Sequence, residues 1–127
     1  MTGWDAFELR VESDELTPEV ITGLLDLAPT ETHVKGMLFH EDLPNGRRFA
    51  TNIWILHKRS MQFEAFPEIV NVLESRIPQI TGLPSSASVS LEWNGILPAD
   101  KESVVLTQRS LNVLSRLGLA VTISMLT

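Results

Sequence analysis

The side chains in this chain that chemistry would draw on are three histidines, two adjacent acid pairs and a run of serines. His33, His40 and His57 would have to converge to hold a metal. The first two are not spaced as an i, i+4 helical pair, and no carboxylate sits at a recognised ligand interval. Asp14-Glu15 and Glu41-Asp42 would have to meet in a cleft with separated pKa values to act as general acid and base, and adjacent residues on a turn point into water instead. Ser85, Ser86, Ser88 and Ser90 include no Gly-x-Ser-x-Gly elbow. The seven glycines are scattered, so no phosphate-cradling loop is present. With no cysteine, thiolate nucleophiles, thiolate metal sites and disulfides are excluded. The reading is of a protein that is not an enzyme and uses no cofactor or metal.

Charge is the more informative property. Residues 1–42 hold ten acids against two bases, a net of −8; the remainder holds six acids and eight bases, a net of +2, which together give the overall −6. An uneven field of this kind steers partners of opposite sign. It opposes non-specific association with nucleic acid. The amino terminus, Met1-Thr2-Gly3-Trp4-Asp5, is neither basic nor apolar, and no apolar run approaches the ~18 residues of a membrane span. The expectation is a cytoplasmic, soluble protein with a protein partner, no direct nucleic-acid contact and no membrane contact. At 127 residues the chain is expected to be one domain spanning 1–127. The residues do not indicate an oligomeric state.

The elements that must position these groups follow from periodicity. Phe7 to Glu12 alternates apolar and charged residues, a half-buried strand with Phe7, Leu9 and Val11 inward. Thr17-Pro18-Glu19 opens a helix with Val20, Ile21, Leu24 and Leu25 as its stripe, stopped by Pro29. Leu43-Pro44-Asn45-Gly46 is a turn signal. Phe49 to His57 reads as a strand apolar on both faces, as in a covered central strand. Phe66, Ile69, Val70, Leu73 and Ile77 predict a helix over about 67–77, ended by Pro78. Ser86 to Trp93 alternates with one wet face, and Asn94-Gly95 reads as a turn. Residues 98–106 read as a charged loop. Thr107 caps a third helix carrying Leu111, Leu114 and Leu117, with Gly118 as its exit. Ala120 to Leu126 predicts a last strand with Val121, Ile123 and Met125 inward. The fold class expected is α+β: a single-layer, mostly antiparallel sheet of about four to five strands covered by helices on one face, in a ferredoxin-like-related βαβ-α-βαβ order.

Phe7-Glu8-Leu9-Arg10-Val11, the segment Glu15 to Leu25 and Ala28-Pro29-Thr30 resemble the opening of a family catalogued as domain of unknown function 4279. Gly36 after the first helix, the tryptophan-centred strand at Trp54 and the terminal Leu114-Ser115-Arg116-Leu117-Gly118-Leu119 fit the same pattern. The resemblance covers nearly the whole chain. Its motifs are capping, core and turn residues, so they imply a fold and carry no catalytic residues. Small acidic bacterial proteins of this kind resemble immunity proteins, which neutralise a toxin delivered by a neighbouring cell.

The expected function is therefore a cytoplasmic immunity protein that binds and neutralises a bacterial toxin, such as a nuclease with a basic cleft. The expected contact surface comprises Glu12, Asp14, Glu15, Glu31, Glu41 and Asp42, all in predicted loops or strand ends. The alternative is a small-ligand-binding or regulatory domain using a groove between the sheet and the 97–106 loop, with Arg47, His57 and Trp93 nearby. Arg47-Arg48 and His57-Lys58-Arg59 flank one strand; they could bind a phosphate or an acidic ligand, but the preferred reading is edge and loop charges that discourage strand-to-strand aggregation. Trp54 and Trp93 are expected in the core or a groove, and Trp4 near a frayed end.

Overall fold

Phe7, Leu9 and Val11 alternate with Glu8, Arg10 and Glu12, and that alternation builds the middle strand of the sheet. The computed structural model describes residues 3–127. In chain order the elements are β1 (Trp4–Ser13), α1 (Pro18–Leu25), β2 (Glu31–His33), β3 (Asn52–Ser60), α2 (Ala65–Glu74), α3 (Ile77–Thr81), β4 (Ala87–Ile96), α4 (Gln108–Leu117) and β5 (Val121–Leu126). The sheet order is β2-β3-β1-β4-β5. β1 runs antiparallel to both β3 and β4, and β2 is antiparallel to β3. β5 pairs parallel to β4, with α4 as the crossover between them. The result is the α+β class expected, an open sheet of five strands that is mostly antiparallel, with four helices.

Register divides the sheet into two unlike faces. Asp5, Phe7, Leu9 and Val11 share one face with Trp54, Leu56, Leu91 and Trp93. The helices cover that face, and the apolar members fill a single core with Ile21, Leu25, Phe66, Ile69, Leu73 and Val113. Glu8, Arg10 and Glu12 lie on the other face beside His57, Ser88, Ser90 and Glu92.

The helices begin and end where local chemistry dictates. Thr17 caps α1 by accepting from the Val20 N–H, and Thr107 caps α4 by accepting from the Ser110 N–H. Gly118 leaves α4 in the left-handed conformation, at φ 68°. The Trp54 indole N–H donates to Thr22 Oγ1 at 3.0 Å and fixes α1 on β3.

Several local expectations are corrected. The helix expected over 67–77 begins earlier, at Ala65, and stops at Glu74; Pro78 sits in the first turn of a separate helix, α3, where no backbone N–H is required of it. Asn94-Gly95 is not a turn: both residues lie within β4, paired with Ala6 and Asp5. Residues 30–50 hold the short edge strand β2 and an arm closed by the Gly36 N–H to Phe49 carbonyl and Phe39 N–H to Arg47 carbonyl bonds. Val20, Leu24 and Leu111 are exposed, because a single helix layer buries only a narrow stripe of each helix.

Two glycines yield opposite expectations. A Cβ at Gly95 would lie 2.8 Å from the Asp5 Cα and closer still to the Trp4 carbonyl oxygen, so the β1–β4 ladder has no room for it. Gly23, inside α1, faces open space. Gly95→Ala is expected to lower unfolding free energy by about 1–3 kcal/mol through overpacking. Gly23→Ala is expected to raise it by about 0.5–1 kcal/mol through helix propensity. Urea denaturation of both variants checks the pair.

Candidate functional site

Asp5 begins the site. Its side chain is fully buried, on the helix-covered face of β1. α2 lacks a local side-chain cap, since Glu64 makes no capping bond. Asp5 supplies the cap from 60 residues away: its Oδ1 accepts the Ala65 N–H at 2.9 Å and its Oδ2 accepts the Phe66 N–H at 3.3 Å. The carboxylate thus sits at the positive end of the α2 dipole. Oδ2 also accepts the Trp93 indole N–H at 2.9 Å.

That bond sets the indole plane. Phe66 stacks on Trp93 with centroids 4.2 Å apart and planes 18° apart, and Phe63 tilts against Trp93 at 6.2 Å. Phe63 holds a left-handed backbone conformation, φ 61°, that bulky side chains avoid. These three rings form the floor of a cleft of about 720 Å³. α2 walls one side through Pro67, Val70 and Asn71; the first turn of α4 walls another through Arg109 and Ser110. The loop of residues 97–106 arches over it through Lys101 to Val105. The Lys101 Nζ lies 5.3 Å from the Phe63 ring centroid, a cation–π contact. Val105 is 77% exposed at the rim.

The rim carries both signs of charge. Arg109 donates to Glu74 at 2.8 Å and 3.4 Å, joining α4 to α2. The hydrogen bond from Arg109, with its positive charge, holds the Glu74 carboxyl below its ordinary value and raises Arg109 in turn. Glu102 and Lys101 lie side by side in the loop.

Of the groove residues expected together, only Trp93 lines this cleft. His57 lies on the opposite face of the sheet, across from Glu8. Arg47 lies on the 36–49 arm, its guanidinium 5.4 Å from the Phe39 ring centroid. Glu12 accepts from Arg10 Nε at 2.8 Å, Asp14 lies 3.5 Å from Lys35 Nζ, and Glu31 bonds His33 at 2.9 Å. Glu12 and Glu31 share the helix-free face, on strands either side of β3 and offset by two residues along it. Glu15, Glu41 and Asp42 are exposed and make no salt bridge among the described residues. Trp4 opens β1, with the Arg59 guanidinium 4.4 Å above its ring.

The family model described as Domain of unknown function (DUF4279) matches residues 4–127. The chain belongs to the DUF4279 family. No curated protein and no solved structure matches it.

Sequence reasoning missed Asp5, Phe63, Phe66, Lys101 and Arg109 as site residues of this DUF4279 domain. A signal existed for the first: the alternation that turns Phe7, Leu9 and Val11 inward also turns Asp5 inward. A buried acid on an apolar strand face needs donors. No comparable signal marks Lys101 or Arg109, whose positions depend on how a loop folds back.

Asp5→Ala removes the α2 cap and leaves the buried Trp93 indole unpaired. The expected loss is about 2–4 kcal/mol of unfolding free energy, with a larger fall than for Trp93→Phe. A second expectation concerns acid. A carboxyl whose folded pKa lies below the model-peptide 4.5 stabilises the fold above that value and loses the contribution as pH falls through the lower one. Thermal melts between about pH 6 and pH 3 should therefore drop less steeply for Glu74→Gln than for the native chain, and added salt should shrink the difference.

Proposed function

We propose that this domain is a non-catalytic binding module whose ligand enters the cleft beneath the 97–106 loop. The supporting observation is the floor of Phe63, Phe66 and Trp93 under a loop with no secondary structure of its own. A concave apolar floor with few polar groups at the rim is the usual form of a small-molecule site, and the volume falls in the usual range. The occupant that suits it has a flat or branched apolar body and a polar end that meets Lys101, Ser103 or the first turn of α4.

Phe63→Asn offers a clean test, because asparagine tolerates the left-handed backbone while removing the ring. Against a panel of aromatic and branched aliphatic acids, amides and alcohols, a ligand at a hundredfold excess over its Kd should stabilise the native chain by about 2.7 kcal/mol. The same ligand should do little for Phe63→Asn. A panel without any melting shift, or a shift retained in full by Phe63→Asn, overturns this reading.

A second reading retains the toxin-neutralising role through a protein contact. It is favoured by the 36–49 arm, where exposed Met37, Phe39 and Leu43 share a short segment with Glu41 and Asp42, which make no salt bridge among the described residues, and where the Arg47 guanidinium lies over the Phe39 ring. Methionine, aromatic and arginine side chains are enriched at protein interfaces. Reversing Glu15, Glu41 and Asp42 to lysine should slow association with a basic toxin domain encoded beside this gene and weaken its salt dependence, while Phe63→Asn leaves that association unchanged. Unchanged association after reversal of all three removes the acidic contact.

A further inference from the structure

The two edges of the sheet are treated differently. The β2 edge is three residues long, carries Glu31 and follows Pro29, so it has the short length, charge and proline that discourage strand addition. The β5 edge has none of these. It reads Val121-Thr122-Ile123-Ser124-Met125-Leu126, six residues with no charge, proline or glycine. Ile123 is 43% exposed and Leu126 is 67% exposed. A strand of this composition with a free edge is a template for another strand.

The backbone shows how such a strand would pair. The Leu126 carbonyl turns toward the β4 side, accepting the Leu97 N–H at 2.8 Å. Both backbone groups of a strand residue point the same way, and direction alternates along the strand. Thr122 and Ser124 therefore turn toward β4 with Leu126, while Val121, Ile123 and Met125 turn their N–H and C=O groups outward.

We propose that β5 pairs with β5 of a second copy of this chain, antiparallel, about a two-fold axis through Ile123. In that register Ile123 meets Ile123 and Val121 meets Met125. All three pairs bring together residues whose backbone groups point outward, and each exchanges two hydrogen bonds. The register also keeps side chains on matching faces: Val121, Ile123 and Met125 on the helix-covered face, Thr122 and Ser124 on the other. The copies carry −6 each, and the uncharged β5 edge is a place where they meet without opposing like charges. Because the β2 edge is blunted, the sheet closes at ten strands rather than extending into a fibre. A six-residue ladder buries less than the roughly 1,200 Å² of a standard interface. The pairing is therefore concentration-dependent.

Sedimentation of the native chain should show mass rising with concentration toward twice 14.2 kDa. Ile123→Lys and Ile123→Glu, each placing like charges opposite one another at the axis, should both weaken association at least about tenfold. Mixing the two variants should restore it as a heterodimer. Circular dichroism of each variant confirms that the sheet is retained. A native chain that stays at 14.2 kDa at all concentrations overturns the proposal, and binding of a foreign strand peptide would then identify a different occupant. Dimerisation that survives both single variants, or variants that fail to associate when mixed, overturns the register through Ile123.

Discussion

One carboxylate ties three distant parts of the chain together. Asp5 stands on β1, receives the first amides of α2 and holds the indole of Trp93 on β4. It is buried with three N–H donors aimed at it and no ion pair among the described residues, a setting in which the helix dipole and hydrogen bonds replace hydration. The cleft depends on it. The position of α2 over the sheet sets where Phe66 lies, and the direction of the indole N–H sets the plane against which Phe66 stacks. Gly95 stands across the ladder from Asp5 and lets the two backbones approach closely at that point.

This interaction also shows what the primary structure discloses. Strand alternation, threonine caps and proline starts are local signals, so β1, β3, β4, α1 and α4 are legible from residues alone. Strand order is not local. Nothing in 86–96 or 120–126 shows that β1 inserts between β3 and β4, or that β5 runs parallel beside β4. In a tally of charge Asp5 is one more acid in an acidic segment, although its parity with Phe7 places it inside. The groove expected from Arg47, His57 and Trp93 separates once register is known, because β3 turns His57 away from the helices and the 36–49 arm holds Arg47 elsewhere. The loop over the cleft is legible as a loop; of the rings beneath it, Trp93 reads as a core or groove residue and Phe66 as part of a helix stripe, while nothing in the residues marks Phe63.

Folding redistributes the acidic segment's charge. Glu8 and Glu12 flank Arg10 on the sheet, Asp14 meets Lys35, Asp26 meets Arg76, and Glu31 meets His33. Most of these pairs are exposed and contribute little individually to stability. Their effect is on the field: apart from the buried Asp5, the carboxylates of this segment without a basic partner among the described residues are Glu15 and Glu19 around the start of α1 and Glu41 and Asp42 at the arm. The face that looks most negative in a tally is, in space, interleaved with cations.

The position of β1 bears on how this chain acquires its shape. The strand made first is the one in the middle, and its neighbours on either side begin at residues 52 and 87. Both pairings span long stretches of sequence, which places the domain among the slower folders for its length. On the ribosome the apolar face of residues 7–11 waits, without a partner strand, until residues 52–60 of β3 have followed. Factors that shelter nascent chains therefore have a long interval in which to act, and a truncated product ending before β4 would expose one flank of its own central strand.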